Sequence, residues 1–185
     1  RSSTTQEPVK KLKKRKRISL PLTVNTIEFN DDAVENVIRL LPSLHAYELY
    51  TLFKRVVNHG GDIAVKIAQN IIHDRVNGVP RKLEWLQPPL MIATRFGNID
   101  IVKMLIENGA DVNESWTEGE IAVRTILGTA CSFEDEEMAY ALARALLERG
   151  ARVNEPEIFG LDYVYPLETA VQTLDVKLVE LLLKY

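Results

Sequence analysis

One pattern of residues occurs three times in this 185-residue chain, and it constrains the fold more than any other feature. Each copy has a short segment that ends in alanine, then a polar turn, then a segment rich in leucine, isoleucine and valine. The alanines are Ala93, Ala130 and Ala170, which are 37 and 40 residues apart. Repeats of this length indicate a solenoid, in which each unit buries its apolar side only against its neighbours. We therefore predict a stack of helix pairs in which one repeat has no core of its own.

The first copy is the most complete. It reads Pro-Pro-Leu-Met-Ile-Ala at 88–93, has glycine at 97, and continues to Gly-Ala-Asp-Val-Asn at 109–113. This closely resembles the ankyrin repeat, whose signature is Thr-Pro-Leu-His-x-Ala, a glycine turn, a leucine-rich helix and Gly-Ala-Asp-Val-Asn. Similar segments recur at 125–130 and 165–170. The resemblance implies an all-α ankyrin-repeat solenoid, made of helix-turn-helix units joined by hairpin loops.

The spacing of the copies exceeds the family's period of ~33 residues, and we expect the excess to lie in loops. Two long connections are predicted to form hairpin tips at 114–119 and 155–160. About four further residues fall between Ala130 and Leu146, and we expect them in an acidic exposed loop around 132–137. In the third copy, Leu174 replaces the turn glycine.

Residues 30–86 are predicted to form an N-terminal helical cap and a degenerate ankyrin-like repeat. Apolar residues recur there at helical spacing in three successive segments. Asn30 or Asp31 is expected to cap the first helix, because both side chains accept hydrogen bonds from free backbone N–H groups. By the same reasoning, Ser43 is expected to cap the second helix and Asp62 the third.

The N-terminal segment is strongly basic. Residues 1–20 hold eight Lys/Arg and one acid, which gives +7 on this segment and −10 on the rest of the chain. We predict a flexible arm at 1–29, disordered or extended, ahead of three ankyrin repeats at 87–185. The arm has three interpretations: a nuclear import signal bound by an import receptor, a nucleic-acid contact, or a solvated tail. The import signal is favoured, because the run contains no aromatic residue for base stacking. Its basic residues are Lys10, Lys11, Lys13, Lys14, Arg15, Lys16 and Arg17.

Motifs for catalysis or metal binding are missing from the sequence. It contains no phosphate-binding glycine loop, no His-Glu-x-x-His and no Cys-x-x-Cys. His45, His59 and His73 are 14 residues apart on predicted helices or helix ends, with no visible fourth ligand. Cys131 is predicted to be a buried and inert thiol. No apolar run approaches the ~20 residues of a membrane helix. We predict that the chain is not an enzyme and binds no cofactor and no metal.

The resemblance implies that partners bind to the inner helices and the hairpin tips. Trp116 is the strongest candidate, because it lies in a polar segment and tryptophan is a favoured interface anchor. Long loops also fold aromatic residues back onto the solenoid, so a structural role stays open for it. The predicted partner-binding residues are Met91, Arg95, Trp116, Glu118 and Phe159.

These features predict a protein–protein interaction module of a nuclear regulatory protein, concerned with transcription or chromatin and located in the nucleus, or in the cytoplasm and nucleus. The acidic body favours a protein partner with a basic surface or peptide. We expect no membrane and no small-molecule substrate. Two alternatives stay open: nucleic-acid binding through the arm, and a regulatory ankyrin module of a larger enzyme.

Overall fold

A computed structural model describes most of the chain from Val24 onward. The described residues are 24, 27–30, 32–77, 87–119 and 121–185. The predicted basic run at 10–17 lies outside them, as does the predicted cap Asp31.

The first three helices are α1 (Ala33–Leu40), α2 (Ala46–His59) and α3 (Gly61–Asn77). The prediction that Ser43 caps α2 is wrong. Ser43 lies in a 3-10 turn, and its hydroxyl donates a hydrogen bond of 2.8 Å to the carbonyl of Leu40. His45 takes the capping position instead. Asp62 lies inside the first turn of α3, where its negative charge interacts favourably with the helix dipole.

The segment before α1 packs against α2. Val24 and Ile27 are buried, and the guanidinium of Arg55 donates hydrogen bonds to both of their carbonyls. The Phe29 ring lies 4.5 Å from the ring of His59, measured between centroids. The last residues of the segment that we predicted as an arm are therefore part of the packed structure.

Three further helix pairs follow: α4 (Pro89–Arg95) with α5 (Ile99–Glu107), α6 (Ile126–Cys131) with α7 (Glu136–Leu147), and α8 (Pro166–Gln172) with α9 (Val176–Lys184). The first members stack in one row, α4 on α6 on α8, and the second members stack in another, α5 on α7 on α9. We call these the inner and outer rows. Helix α2 extends the inner row and α3 extends the outer row, while α1 packs on α3. The helical solenoid predicted from the repeats is thus confirmed.

The extra residues of the second repeat lengthen a helix, and the prediction that they enlarge the loop at 132–137 is wrong. Helices α5 and α9 have nine residues each, whereas α7 has 12. Each outer helix begins six residues after the inner alanine of its repeat, so the extra residues come after the start of α7. Because the insertion is close to one helical turn of 3.6 residues, the apolar side of α7 still faces its neighbours.

The long connections between repeats form β-strands, which corrects the all-α prediction. The strands are β1 (Ser115–Glu118), β2 (Ala122–Thr125), β3 (Glu157–Phe159) and β4 (Asp162–Val164). Two hairpins, β1–β2 and β3–β4, join through antiparallel pairing of β2 with β3. Gly119 and Gly160 stand in the turns with φ of +68° and +66°, which costs glycine little. Alternating strand residues and turn glycines were present in the predicted hairpin tips, but we expected loops there.

The alanines that define the repeats are fully buried, and they lie on inner helices that pack against one another in succession. Leu174 has a φ of 61°, close to the 66° of Gly97 in the first repeat. Leu174 therefore occupies the place of the turn glycine in a backbone conformation that strains a leucine. Within the described residues, no helix combines the length and apolarity that crossing a bilayer requires.

Candidate functional site

One face of the sheet carries three of the residues predicted to bind a partner. Trp116 and Glu118 share a face of β1, because successive strand residues point to opposite sides. Arg124 is paired with Trp116 across the hairpin, and Ala122 is paired with both Glu118 and Phe159. The register therefore brings Trp116, Glu118, Arg124 and Phe159 to the same face.

Arg124 connects the two hairpins on this face. Its Nε lies 3.4 Å from the carboxylate of Glu118, and its Nη1 lies 3.5 Å from the carboxylate of Glu157. The guanidinium carbon also lies 4.7 Å from the centroid of the Phe159 ring, which is a cation–π distance. The side chain is 34% exposed, so solvent screens its ion pairs and each is expected to add little stability. The main effect of Arg124 is to connect the two hairpins, because its side chain contacts residues of both β1 and β3.

Glu157 joins the second hairpin to the start of α6. It is only 4% exposed, and its Oε1 accepts a hydrogen bond of 3.2 Å from the backbone N–H of Thr125. Burial raises the pKa of this carboxyl group, while Arg124 and the Thr125 N–H oppose the shift. Gly128 provides the space, since a Cβ at that position would lie 2.6 Å from both Cγ and Cδ of Glu157.

A cavity of about 510 Å³ is bounded by the sheet and the inner row of helices. This volume falls within the range of about 300–1,000 Å³ that is usual for ligand sites. Its walls come from α4, from the first hairpin, from α6 and from the loop between α6 and α7. The lining residues are Met91, Arg95, Trp116, Arg124, Thr129, Ser132, Phe133, Glu134 and Asp135. We refer to this cavity and the adjoining face of the sheet as the concave surface.

The structure brings the five predicted partner-binding residues together at the concave surface. Those that line the cavity are Met91, Arg95 and Trp116. Glu118 and Phe159 do not line it, but both contact Arg124, which does. The prediction that these five residues bind a partner stays a prediction.

Two of the five have environments that the sequence did not reveal. Met91 is fully buried, and its Sδ accepts a hydrogen bond of 3.3 Å from the hydroxyl of Thr129, so it supports the cavity floor and offers no surface. Trp116 is half-buried, packs against the core and also lines the cavity. The tryptophan therefore combines the structural role with a position that a ligand can reach.

Sequence reasoning missed Arg124, Glu157 and Phe133. The ring of Phe133 packs over Gly97, 3.1 Å from where a Cβ would be, and thereby forms part of the cavity wall. A signal for the first two was available. An aromatic and a charged residue stand two positions apart in β1 and in β3, and β2 carries Arg124, a pattern typical of strands with one polar face.

The residues considered for catalysis and metal binding lie elsewhere. Cys131 is fully buried, and desolvation, with Glu157 and Asp175 nearby, raises its pKa to about 12. His45 and His59 lie at the two ends of α2, as predicted. In the described part of the chain, no group of three or more His, Cys, Asp or Glu residues is placed to hold a metal ion.

Asn113 links the first hairpin to the next repeat. Its Nδ2 donates a hydrogen bond of 3.1 Å to the carbonyl of Gly150, and its Oδ1 accepts one of 2.8 Å from the N–H of Arg152. The two residues that it contacts precede β3. This bridge therefore helps to fix the spacing of the hairpins that form the sheet.

A comparison with protein families decides what this architecture is. The family model described as "Ankyrin repeats (3 copies)" matches residues 90–185, just over half of the chain. The chain belongs to the ankyrin-repeat family. Ankyrin repeats are general protein–protein interaction modules. No curated protein matches the chain.

The ankyrin repeats of this chain depart from the family signature at its histidine. Met91, Gly128 and Glu168 occupy that position in the three repeats. In the second repeat, the carboxylate of Glu157 occupies the space beside the glycine and accepts a hydrogen bond from the Thr125 N–H. Glu157 from the next hairpin thus takes the place of the histidine side chain that the family signature has at position 128.

Proposed function

We propose that the chain is a binding module without catalytic activity, and that it holds its protein partner on the concave surface. The observation that carries this proposal is the convergence of Arg95, Trp116, Glu118 and Phe159 around the cavity and Arg124. Tryptophan and arginine are the residues most enriched among the energetic anchors of protein interfaces. Both residue types line the cavity here, as Trp116, Arg95 and Arg124, and the cavity can accept a side chain of the partner.

The chemistry of the cavity supports binding over catalysis. Its two hydroxyl groups donate to acceptors that cannot serve as general bases: Thr129 donates to the Met91 sulfur, and Ser132 to the Thr129 carbonyl at 2.9 Å. A nucleophilic hydroxyl would need a basic partner. The thiol of Cys131, with a pKa of about 12, stays protonated at neutral pH and is a poor nucleophile.

The distribution of charge supports a basic partner. Residues 87–185 contain eight Lys/Arg and 17 Asp/Glu, so the repeats carry −9, whereas residues 30–86 contain seven of each. The negative charge of the body is therefore concentrated on the repeats that form the concave surface. Such a field speeds the encounter with a positively charged protein or peptide.

We further propose that the protein acts in the nucleus as a regulator of transcription or chromatin. The support is the basic run at 10–17, whose composition suits an import receptor. Replacing its seven Lys/Arg by Ala in a fluorescently tagged chain is expected to move the protein to the cytoplasm. Unchanged nuclear localisation, or exclusion from the nucleus before the change, would contradict this part of the proposal.

The same charge of +7 favours a second candidate function, nucleic-acid binding through the arm. Binding of labelled DNA and RNA across a range of salt concentrations tests it, because each neutralised phosphate steepens the salt dependence. If the arm binds nucleic acid, deletion of residues 9–17 abolishes binding. If affinity depends little on salt, this second function is excluded.

Affinity purification from cells tests the main proposal. The baits are the wild-type chain and the variants Trp116→Ala and Arg95→Ala, with Tyr47→Ala and Lys103→Ala as matched controls. Tyr47 on α2 and Lys103 on α5 are exposed, and neither lines the cavity. We expect the two cavity variants to lose proteins that the wild type and both controls retain. Equal recovery by all five baits would refute the assignment of the concave surface.

A further inference from the structure

Two charged residues of opposite sign line the cavity and have no side-chain partner among the residues that the structure describes. Arg95 and Glu134 are both exposed, and neither makes an ion pair or a side-chain hydrogen bond with any described residue. They also do not pair with each other, although both face the same space. When a ligand covers these two residues, each charge loses its hydrating water, and burying it is costly unless the ligand provides an opposite charge.

The other charges of the cavity are already engaged. Arg124 contacts Glu118 and Glu157, and Asp135 Oδ1 accepts a hydrogen bond of 3.1 Å from the N–H of Met138 at the start of α7. Among the described lining residues, the cavity therefore offers a partner one available cation, Arg95, and one fully available anion, Glu134. A ligand with a single charge would satisfy only one of them.

Aromatic rings are present for a basic side chain of the ligand. Trp116 and Phe133 line the cavity together with Glu134. A lysine or arginine that pairs with Glu134 enters a cavity that both rings also line. Cation–π contact with either ring would add to the ion pair. Arg95 provides the complementary position for a carboxylate, which its planar guanidinium binds through two parallel hydrogen bonds.

We infer that the cavity recognises an extended peptide segment with one acidic and one basic side chain, the acidic one at Arg95 and the basic one at Glu134. This inference rests on the proposed function, because it names the chemistry of the partner at the same surface. The net charge of the repeats favours a basic partner, whereas this inference also requires an acidic side chain in the ligand. A purely basic peptide would be repelled at Arg95 and is expected to bind more weakly.

Selection from a phage-displayed library of random 12-residue peptides tests the inference. The target is the full 185-residue chain, and the retained peptides are synthesised and their dissociation constants measured by fluorescence anisotropy. We expect the selected peptides to share an acidic and a basic residue at a fixed spacing. Arg95→Glu is expected to weaken them at least tenfold, and exchange of the peptide's acidic residue for lysine to restore affinity for this variant. Glu134→Lys is expected to give the reciprocal result.

Matched controls and opposing outcomes keep the test decisive. Lys103→Glu and Glu107→Lys make the same charge changes on exposed positions of α5 and are expected to leave affinity unchanged.

A shared motif without an acidic position, or no effect of Arg95→Glu, overturns the inference. If such peptides still lose affinity in Trp116→Ala, the proposed function survives. If Trp116→Ala binds them like wild type, the concave surface is not the peptide site and both proposals fail. Retention of no peptide above an unrelated control protein also overturns the inference, while affinity purification tests the function separately.

Discussion

The close packing of Gly128 against Glu157 gives a sharp test of how the second hairpin is held. In Gly128→Ala, the added methyl group would lie 2.6 Å from Cγ and Cδ of Glu157, far inside van der Waals contact. The Glu157 side chain is buried, so it cannot simply swing into solvent. We expect it to be displaced from the N–H of Thr125 and from Arg124.

The magnitude follows from two opposing contributions. Loss of a hydrogen bond to a charged group costs about 1.5–3 kcal/mol, and alanine in a helix is favoured over glycine by up to ~1 kcal/mol. Gly128→Ala is therefore expected to lower the free energy of unfolding by about 2 kcal/mol. In a Glu157→Ala background the two displaced carbons are absent. Of the three nearest atoms, the Thr125 hydroxyl oxygen at 2.8 Å remains, and a small shift relieves this approach.

Urea denaturation followed by circular dichroism measures all four chains of this double-mutant cycle. We expect Gly128→Ala to cost about 2 kcal/mol in the wild type and less than ~0.5 kcal/mol in Glu157→Ala, since residues in contact are energetically coupled. If the cost is the same in both backgrounds, the proposed packing of Glu157 on Gly128 is refuted. A higher free energy of unfolding in Gly128→Ala than in the wild type would also refute this packing.

Three further predictions address the repeat structure. Leu174→Gly should raise the free energy of unfolding by about 0.5–1 kcal/mol, because the φ of 61° strains leucine and the side chain is 81% exposed. Leu183→Gly, at an exposed position inside α9, should lower it by ~1 kcal/mol, and a loss in both variants would contradict the strain argument. Asn113→Ala should cost about 1–2 kcal/mol in urea denaturation, because it removes both bonds to the next repeat. The control Asn154→Ala should be neutral, since that exposed side chain has no hydrogen bond among the described residues, and equal effects would refute the bridge. Burial raises the pKa of Glu157 above its ordinary value of 4.5, so the folded protein holds this proton more tightly than the unfolded chain. Its carboxyl group therefore stabilises the fold less as the pH rises above about 4.5. The stability of Glu157→Gln relative to wild type should accordingly increase toward neutral pH in denaturation series, and a pH-independent difference would contradict this.

The helical part of the fold was predictable because its signals are local. The alanines and the turn glycines recur at corresponding places in each repeat, so their spacing along the sequence identified the helix pairs. The place of Leu174 in a glycine position was found in the same way. We predicted a longer loop where the structure has a longer α7. An insertion of one helical turn keeps the hydrophobic periodicity, so the periodicity does not distinguish a longer helix from a longer loop.

The sheet and the cavity depend on contacts between repeats, which sequence spacing does not specify. Pairing of β2 with β3 requires knowledge of how two hairpins lie side by side. The contacts of Arg124 with Glu118, Glu157 and Phe159 join residues that are up to 35 positions apart. Resemblance to the ankyrin family pointed to Trp116 and Arg95 by position. It gave no indication that a glycine at the histidine position would be matched by a buried glutamate from the next hairpin.

Hydrogen exchange of the chain with and without a captured partner locates the binding surface. We expect slower amide exchange in the complex at 89–95, 115–125 and 132–135, which contain the walls of the cavity and the first hairpin. Exchange in the outer helices at 99–107 and 176–184 should stay unchanged. Protection confined to the outer helices, with the cavity segments exchanging as in the free chain, would contradict the concave surface as the binding site.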